Sequence, residues 1–302
     1  MTVFRGLIAY PITPFRPDGA INFDELVRHL ADLAVSGVDS IAILGSSGSF
    51  AYLNRNERRQ VLETGVKAIK AANPDLAVIG GVSAVGTREL LLNIEDAQAA
   101  GVDGLLVSTV SYVPLNEDEV HAQSLAAAAS TALPICLYSN PGTTQFSFSL
   151  ELIAELARVR NIVAVKESAA DTETFLHRDE QLRRMVPEGF SHGMSGDVLI
   201  GEAGAAADAW HSGPASVLPH HYRLLRDAAV NGDTDKLADA RQVMAPLLNY
   251  FNSLRKLSNL YALARAAGVD AGDPRRPLLP LPGSSQRELA RLLDALPDPA
   301  SV

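Results

Sequence analysis

Lys166 stands in the apolar run Ile162-Val-Ala-Val-Lys-Glu-Ser, which reads as a buried strand with the lysine near its C-terminal end. A lysine so placed is a candidate nucleophile, because burial disfavours the ammonium and frees the amine. Alternation along a strand puts Ile162, Ala164 and Lys166 on one face and Val165 and Glu167 on the other. Lowering the amine from about 10.4 to near 7 takes roughly 4–5 kcal/mol of differential destabilisation of the charged form. Burial with no carboxylate on the same face supplies an effect of that size. The plainer alternative is a surface lysine paired with Glu167.

Two other places offer matching chemistry. Gly45-Ser-Ser-Gly-Ser combines hydroxyls with glycine-flexed amides in one tight loop, suited to holding a carboxylate or another small anion, or else simply a flexible loop. Tyr138 ends the run Ile135-Cys-Leu-Tyr and shares a face with Cys136, where a phenol beside Lys166 could move protons in imine chemistry. The commoner fate of such a tyrosine is a rim position satisfied by a backbone carbonyl. The histidines assemble into nothing: His220 and His221 are adjacent and diverge, and no metal-ligand spacing occurs. Ser168 and Ser195 have no Ser-His-Asp framework, and no glycine-rich nucleotide loop is present, so neither a metal nor an organic cofactor is expected.

Elements able to position these residues alternate along the first three-quarters of the chain. Strand-like runs fall at Leu7–Thr13, Asp39–Leu44, Ala77–Val82, Gly104–Thr109, Pro134–Ser139, Ile162–Ser168, Phe190–Ser195 and Asp208–Ser212. They are continuously apolar, as parallel strands buried on both faces are. Amphipathic stretches separate them: Phe23–Ser36, Glu57–Ala72, Thr87–Ala100, Asp118–Thr131 and Leu150–Arg158, with Asn54 and Glu57 forming a helix-start pair. Eight βα units in about 225 residues, about 28 residues each, predict a (β/α)8 TIM barrel rather than a doubly wound open sheet. Ser36-Gly-Val-Asp-Ser before the second strand is echoed by Ala100-Gly-Val-Asp-Gly before the fourth. After Pro219 only helical patterns remain, at Tyr222–Asn231, Lys236–Phe251, Leu257–Ala267 and Gln286–Leu296. The expected division is therefore a catalytic barrel over residues 1–225 and a C-terminal helical appendage over 226–302, its last residues Pro297–Val302 frayed.

The bulk properties narrow the function. The chain has 302 residues, 47% hydrophobic and 20% charged, with net charge −9. That balance argues against a nucleic-acid backbone binder but leaves room for a locally positive pocket. Cys136 is the single cysteine, so an intrachain disulfide and a cysteine zinc site are both excluded. The opening MTVFRGLIAYPITPF is too short an apolar run for a leader and meets Pro11 and Pro14 at once, and no run is long enough for a membrane span. A cytoplasmic location is expected.

Taken in order, Pro11-Ile-Thr-Pro-Phe, Gly45-Ser-Ser-Gly followed by Leu53-Asn-Arg-Asn-Glu-Arg, Leu137-Tyr-Ser-Asn-Pro, Val165-Lys-Glu-Ser, Ser195-Gly-Asp and Arg276-Pro-Leu-Leu-Pro-Leu resemble the dihydrodipicolinate synthase/N-acetylneuraminate lyase family over nearly the whole chain. The resemblance implies a lyase that needs no cofactor. Lys166 matches the lysine that forms a Schiff base with pyruvate or another 2-keto acid. Tyr138 matches the tyrosine that relays protons to the adduct. Ser46 and Ser47, following Gly45, match the paired hydroxyl residues that bind the substrate carboxylate. An aldehyde is the implied second substrate, and a homotetramer of paired dimers, with a dimer as the alternative, the implied assembly. Three positions depart from the pattern. Ser49 stands where family members making the lysine-pathway precursor carry Glu, and Thr143 where they carry an Arg gripping the second substrate's carboxylate. Ser111 stands where a tyrosine crosses to a neighbouring subunit, with Tyr112 one step away as its substitute at the substrate. The departures favour an aldolase or dehydratase of other 2-keto acids over aspartate-semialdehyde condensation. The remaining alternatives are a catalytically silent keto-acid binder and an unrelated metal-dependent barrel.

Overall fold

Eight parallel strands close on themselves in chain order, each paired with the next and β8 with β1. They are β1 Gly6–Ala9, β2 Ser40–Ile43, β3 Ala77–Gly81, β4 Gly104–Ser108, β5 Ile135–Ser139, β6 Ile162–Ser168, β7 Ser191–Ser195 and β8 Ala209–Ser212. The computed structural model describes residues 3–197, 199 and 207–299, so residues 300–302 of the C-terminal tail lie outside it. Helices α1 Phe23–Ala34, α2 Arg55–Ala72, α3 Thr87–Ala100, α4 Glu117–Ala129, α5 Pro141–Thr144, α6 Leu150–Leu156 and α7 Thr172–Arg183 follow β1 to β6 in turn. After β8 come α8 Pro219–Asn231, α9 Thr234–Ser253, α10 Ser258–Ala266 and α11 Gly283–Asp294. This is the (β/α)8 barrel with trailing helices that the strand count predicts.

Alternating side chains divide the core in two. Outward residues such as Leu7, Ile41, Val78, Leu105, Val165 and Trp210 join the helices in one large apolar cluster. Inward residues Ile8, Tyr10, Ala42, Ile79, Leu106, Cys136, Tyr138, Ala164 and Ala209 fill the barrel itself. Removing apolar surface from water on both sides of every strand is the main term holding such a barrel together.

Differences from the sequence pattern have local causes. β1 ends at Ala9 rather than Thr13, because Pro11 and Pro14 lack the N–H that a ladder requires. Helix α7 has no counterpart among the sequence-derived helices: it is strongly polar and buries only Phe175 and Leu182, so its apolar stripe is too thin to read. Its start is fixed instead by Asp171, whose side chain accepts from the Thr174 N–H. The Asn54 and Glu57 pair forms a complete capping box at α2. Helix α8 begins at Pro219 and runs through residue 225 without interruption.

The repeated Gly-Val-Asp proves to be one structural device used twice. Gly37 and Gly101 turn through positive φ just after their helices. Asp39 then accepts from the Leu7 N–H at 2.6 Å and Asp103 from the Val78 N–H at 2.8 Å, each clamping the preceding strand. Asp208 does the same for β7, accepting from the His192 N–H at 3.0 Å. These carboxylates satisfy amides at the start of the barrel, where the ladder cannot.

Candidate active site

Lys166 sits at the inner mouth of the barrel, 6% exposed. Its Nζ lies 3.8 Å from the ring centre of Tyr10 and 4.1 Å from that of Tyr138. Tyr10, just past the end of β1, and Tyr138 of β5 therefore aim aromatic faces at one amine. Tyr138 is the direct neighbour of Lys166 in the β5/β6 ladder. Ala164 shares the inner face as expected, but Ile162 belongs to the outer cluster. A register shift between β5 and β6 inserts Val163 as an extra residue, so strict alternation fails below Ala164. Glu167 points outward: Arg178 Nε donates to it at 2.7 Å, and His192 Nε2 lies 3.1 Å away. It is committed there and does not neutralise the lysine.

Burial pulls the Lys166 ammonium down to about 7, against weaker opposing pulls from Cys136 and Asp197, while the charge on Lys256 pushes it further down. The facing rings would partly favour a cation, yet desolvation dominates. A large fraction of free amine at neutral pH is the result. Cys136, on the same inner face, responds to the same burial in the opposite direction, its thiol pushed up to about 12.

The loop after β2 is built by close approaches. Gly45 leaves room for Tyr10, whose Cδ1 a Cβ there would meet at 2.5 Å. Leu44 and Ser49 both carry positive φ, so the loop coils tightly between them. Ser46 and Ser47 line the cavity. Ser49 does not: it is buried and meets the Tyr261 hydroxyl at 3.1 Å, and that hydroxyl donates to the Thr13 carbonyl at 2.7 Å. Thr13 in turn donates to the Gly48 carbonyl at 2.8 Å. A residue of α10 thus fastens the loop to the start of the chain.

The cavity over Lys166 has a volume of about 530 Å³ and is also lined by Tyr138, Asn140, Thr143 and Ser168. Asn140 Nδ2 donates to the Tyr138 hydroxyl at 2.8 Å. Burial raises the Tyr138 phenol, with hydrogen bonds from Asn140 and Ser46 opposing, so it keeps its proton at neutral pH. Tyr10, His211 and Asp197 are among the lining residues that escaped the sequence reading as site residues. Tyr10 and His211 share a 2.8 Å hydrogen bond across the barrel interior. Asp197 accepts from the Ser212 and Tyr222 hydroxyls, the latter at 2.8 Å, and burial raises its carboxyl. Strand parity was the available signal for the first two: Tyr10 follows inward Ile8, and His211 follows inward Ala209.

Tyr112 does not join this cavity within one chain: it is 93% exposed, on the segment after β4. His220 and His221 are also remote from Lys166, His221 lying 3.0 Å from the Pro297 carbonyl. Among the described residues, no group of three or more His, Cys, Asp or Glu has the placement of a metal site.

A family model for the dihydrodipicolinate synthetase family matches residues 3–296. The chain belongs to that family. Relatives extend over nearly its full length. A 4-hydroxy-tetrahydrodipicolinate synthase of Xanthomonas axonopodis pv. citri is 33% identical over 299 residues, covering 95% of this chain and 93% of the relative. A protein of the same name from Methanosarcina mazei is 28% identical, covering 97% and 99%. The crystal structure of dihydrodipicolinate synthase from Agrobacterium tumefaciens superposes with a TM-score of 0.92 at 35% identity, covering 98% of this chain and 99% of that one. This member of the dihydrodipicolinate synthetase family is accordingly a lyase.

Proposed function

We propose that this lyase works through a Schiff base between Lys166 and a 2-keto acid such as pyruvate, with an aldehyde as second substrate. The observation that carries it is the amine of Lys166, held between the rings of Tyr10 and Tyr138 with its ammonium lowered to about 7. The free amine adds to the C2 carbonyl, and loss of water leaves a protonated imine. That imine is a strong electron sink, so a C3 proton departs and an enamine forms. The enamine C3 adds to the aldehyde carbon, or the same steps reversed cleave the bond, and water finally releases the product from the lysine. Tyr138, protonated at rest, gives its proton to the departing hydroxyl and takes one back during enamine chemistry. Ser46 and Ser47 hold the keto-acid carboxylate through hydroxyls and loop amides. No metal or organic cofactor enters these steps.

Incubation with pyruvate and sodium borohydride tests the reading. A reduced pyruvyl adduct is expected on Lys166 by peptide mapping, and none in Lys166→Ala. Absence of an adduct with pyruvate and longer 2-keto acids overturns the mechanism. The names of the Xanthomonas and Methanosarcina relatives favour a second reading, an authentic 4-hydroxy-tetrahydrodipicolinate synthase. Turnover of pyruvate with aspartate semialdehyde separates the two. A cytoplasmic homotetramer of paired dimers is part of the proposal on the strength of family kinship, and sedimentation of the protein reads the assembly.

A further inference from the structure

The charges around the cavity are unequal. Among the described lining residues the ionisable acids and bases with formal charge are Lys166, Asp197, Arg255 and Lys256. Asp197 is already engaged by the Ser212 and Tyr222 hydroxyls. Arg255 and Lys256 make no hydrogen bond or ion pair among the described residues, although both belong to the cavity wall. They lie where α9 ends and α10 begins, and Leu257 immediately after them is held at φ +68°. Lys256 is near enough that its charge presses on Lys166. Two cations with no ion-pair partner among the described residues thus line the cavity of one buried amine in a protein of net charge −9. Thr143, also in the cavity lining, supplies no charge of its own.

We propose that Arg255 and Lys256 recognise a second carboxylate, distal to the keto-acid end, so that the substrates of this lyase are 2-oxo dicarboxylates or become so on condensation. The inference rests on the Schiff-base reading of Lys166. The geometry divides the substrate: Ser46 and Ser47 take the carboxylate beside the reacting carbonyl, and the α9–α10 junction takes the other end. A guanidinium fork and an ammonium suit a carboxylate held in a partly wet mouth. An uncharged tail leaves both cations with water alone and gains nothing from them.

Borohydride trapping at Lys166 tests this with length-matched acids, 2-oxoadipate against 2-oxohexanoate and 2-oxoglutarate against 2-oxopentanoate. The concentration giving half-maximal trapping is expected to be about ten-fold lower for each diacid in the native protein, the size of a partly exposed charged contact. In the Arg255→Ala/Lys256→Ala double variant the ratio within each pair is expected to fall to near one. The ratio is taken within one protein at one pH, so any change in the Lys166 amine cancels. A native ratio near one, or a double variant that keeps the native ratio, overturns the inference while leaving the Schiff base standing. No adduct with pyruvate or any of these acids removes both.

Discussion

The two ends of the barrel treat polar groups in opposite ways. At the N-terminal end, Asp39, Asp103 and Asp208 each take a strand amide, and Arg223, Lys70 and Arg5 respectively complete them as ion pairs. At the C-terminal end, Lys166 is buried with no acid within salt-bridge distance among the described residues, and Arg255 and Lys256 line the cavity with no ion pair among those residues. One end has its polar groups paired, and the other leaves charge uncompensated for a ligand to meet. Pairing costs an enzyme nothing where no reaction occurs, whereas a reactive amine must go unpaired to react.

Substitutions at the two ends should separate activity from stability. Tyr138→Phe keeps the ring against Lys166 but removes the proton carrier, and deuterium exchange into the pyruvate methyl should slow by about 10²–10⁴-fold. Nuclear magnetic resonance of the substrate follows that exchange directly. The pH profile of adduct formation should follow the free amine: a plateau above about 8, then a fall approaching ten-fold per pH unit below about 6. A profile still rising at pH 10 would mean that the lysine keeps its ordinary basicity. Lys166→Met should abolish trapping and stabilise the fold by about 2–4 kcal/mol at pH 6, since a lysine lowered in the folded state costs stability wherever it is charged when unfolded. The cost is full below about 7 and disappears as pH rises to the ordinary lysine value. Denaturant titrations at pH 6 and pH 10 should therefore show the gain shrinking at the higher pH. Asp39→Ala, at the other end, should cost about 1–3 kcal/mol by orphaning the Leu7 amide, with pyruvate trapping unchanged. A comparable loss of trapping would mean the two ends are not independent.

Much of this was legible in the residues because a barrel strand announces itself. Burial on both faces makes each strand continuously apolar, and eight such runs with helical spacers leave little choice of architecture. The Gly-Val-Asp echo was visible too, though its purpose as a strand clamp requires the partner amide. Lys166 and Tyr138 could be paired on paper because consecutive strands are neighbours in this fold. The remainder depends on information absent from local pattern. The outward turn of Ile162 follows from a one-residue register shift between β5 and β6. Tyr10 and His211 are 201 residues apart and meet because β1 closes against β8. Arg255 and Lys256 reach the cavity through the docking of α9 and α10, which no strand periodicity encodes. Tyr112, a neighbour in sequence of Ser111, faces solvent because the segment after β4 runs outside the cavity.

Cys136 and Lys166 are a thiol and an amine inside one barrel, and an electrophilic keto acid entering from above could in principle meet either. Desolvation removes charge from whichever form carries it, which for an amine exposes the lone pair and for a thiol withholds it. With the thiol pushed up to about 12 and the ammonium brought down to about 7, thiolate is scarce at neutral pH while free amine is abundant. In the proposed Schiff-base chemistry, a single dry environment thus confers chemoselectivity. Carbonyl compounds are steered to nitrogen, and a thiol-directed alkylating reagent that reached the same interior would find almost nothing to modify.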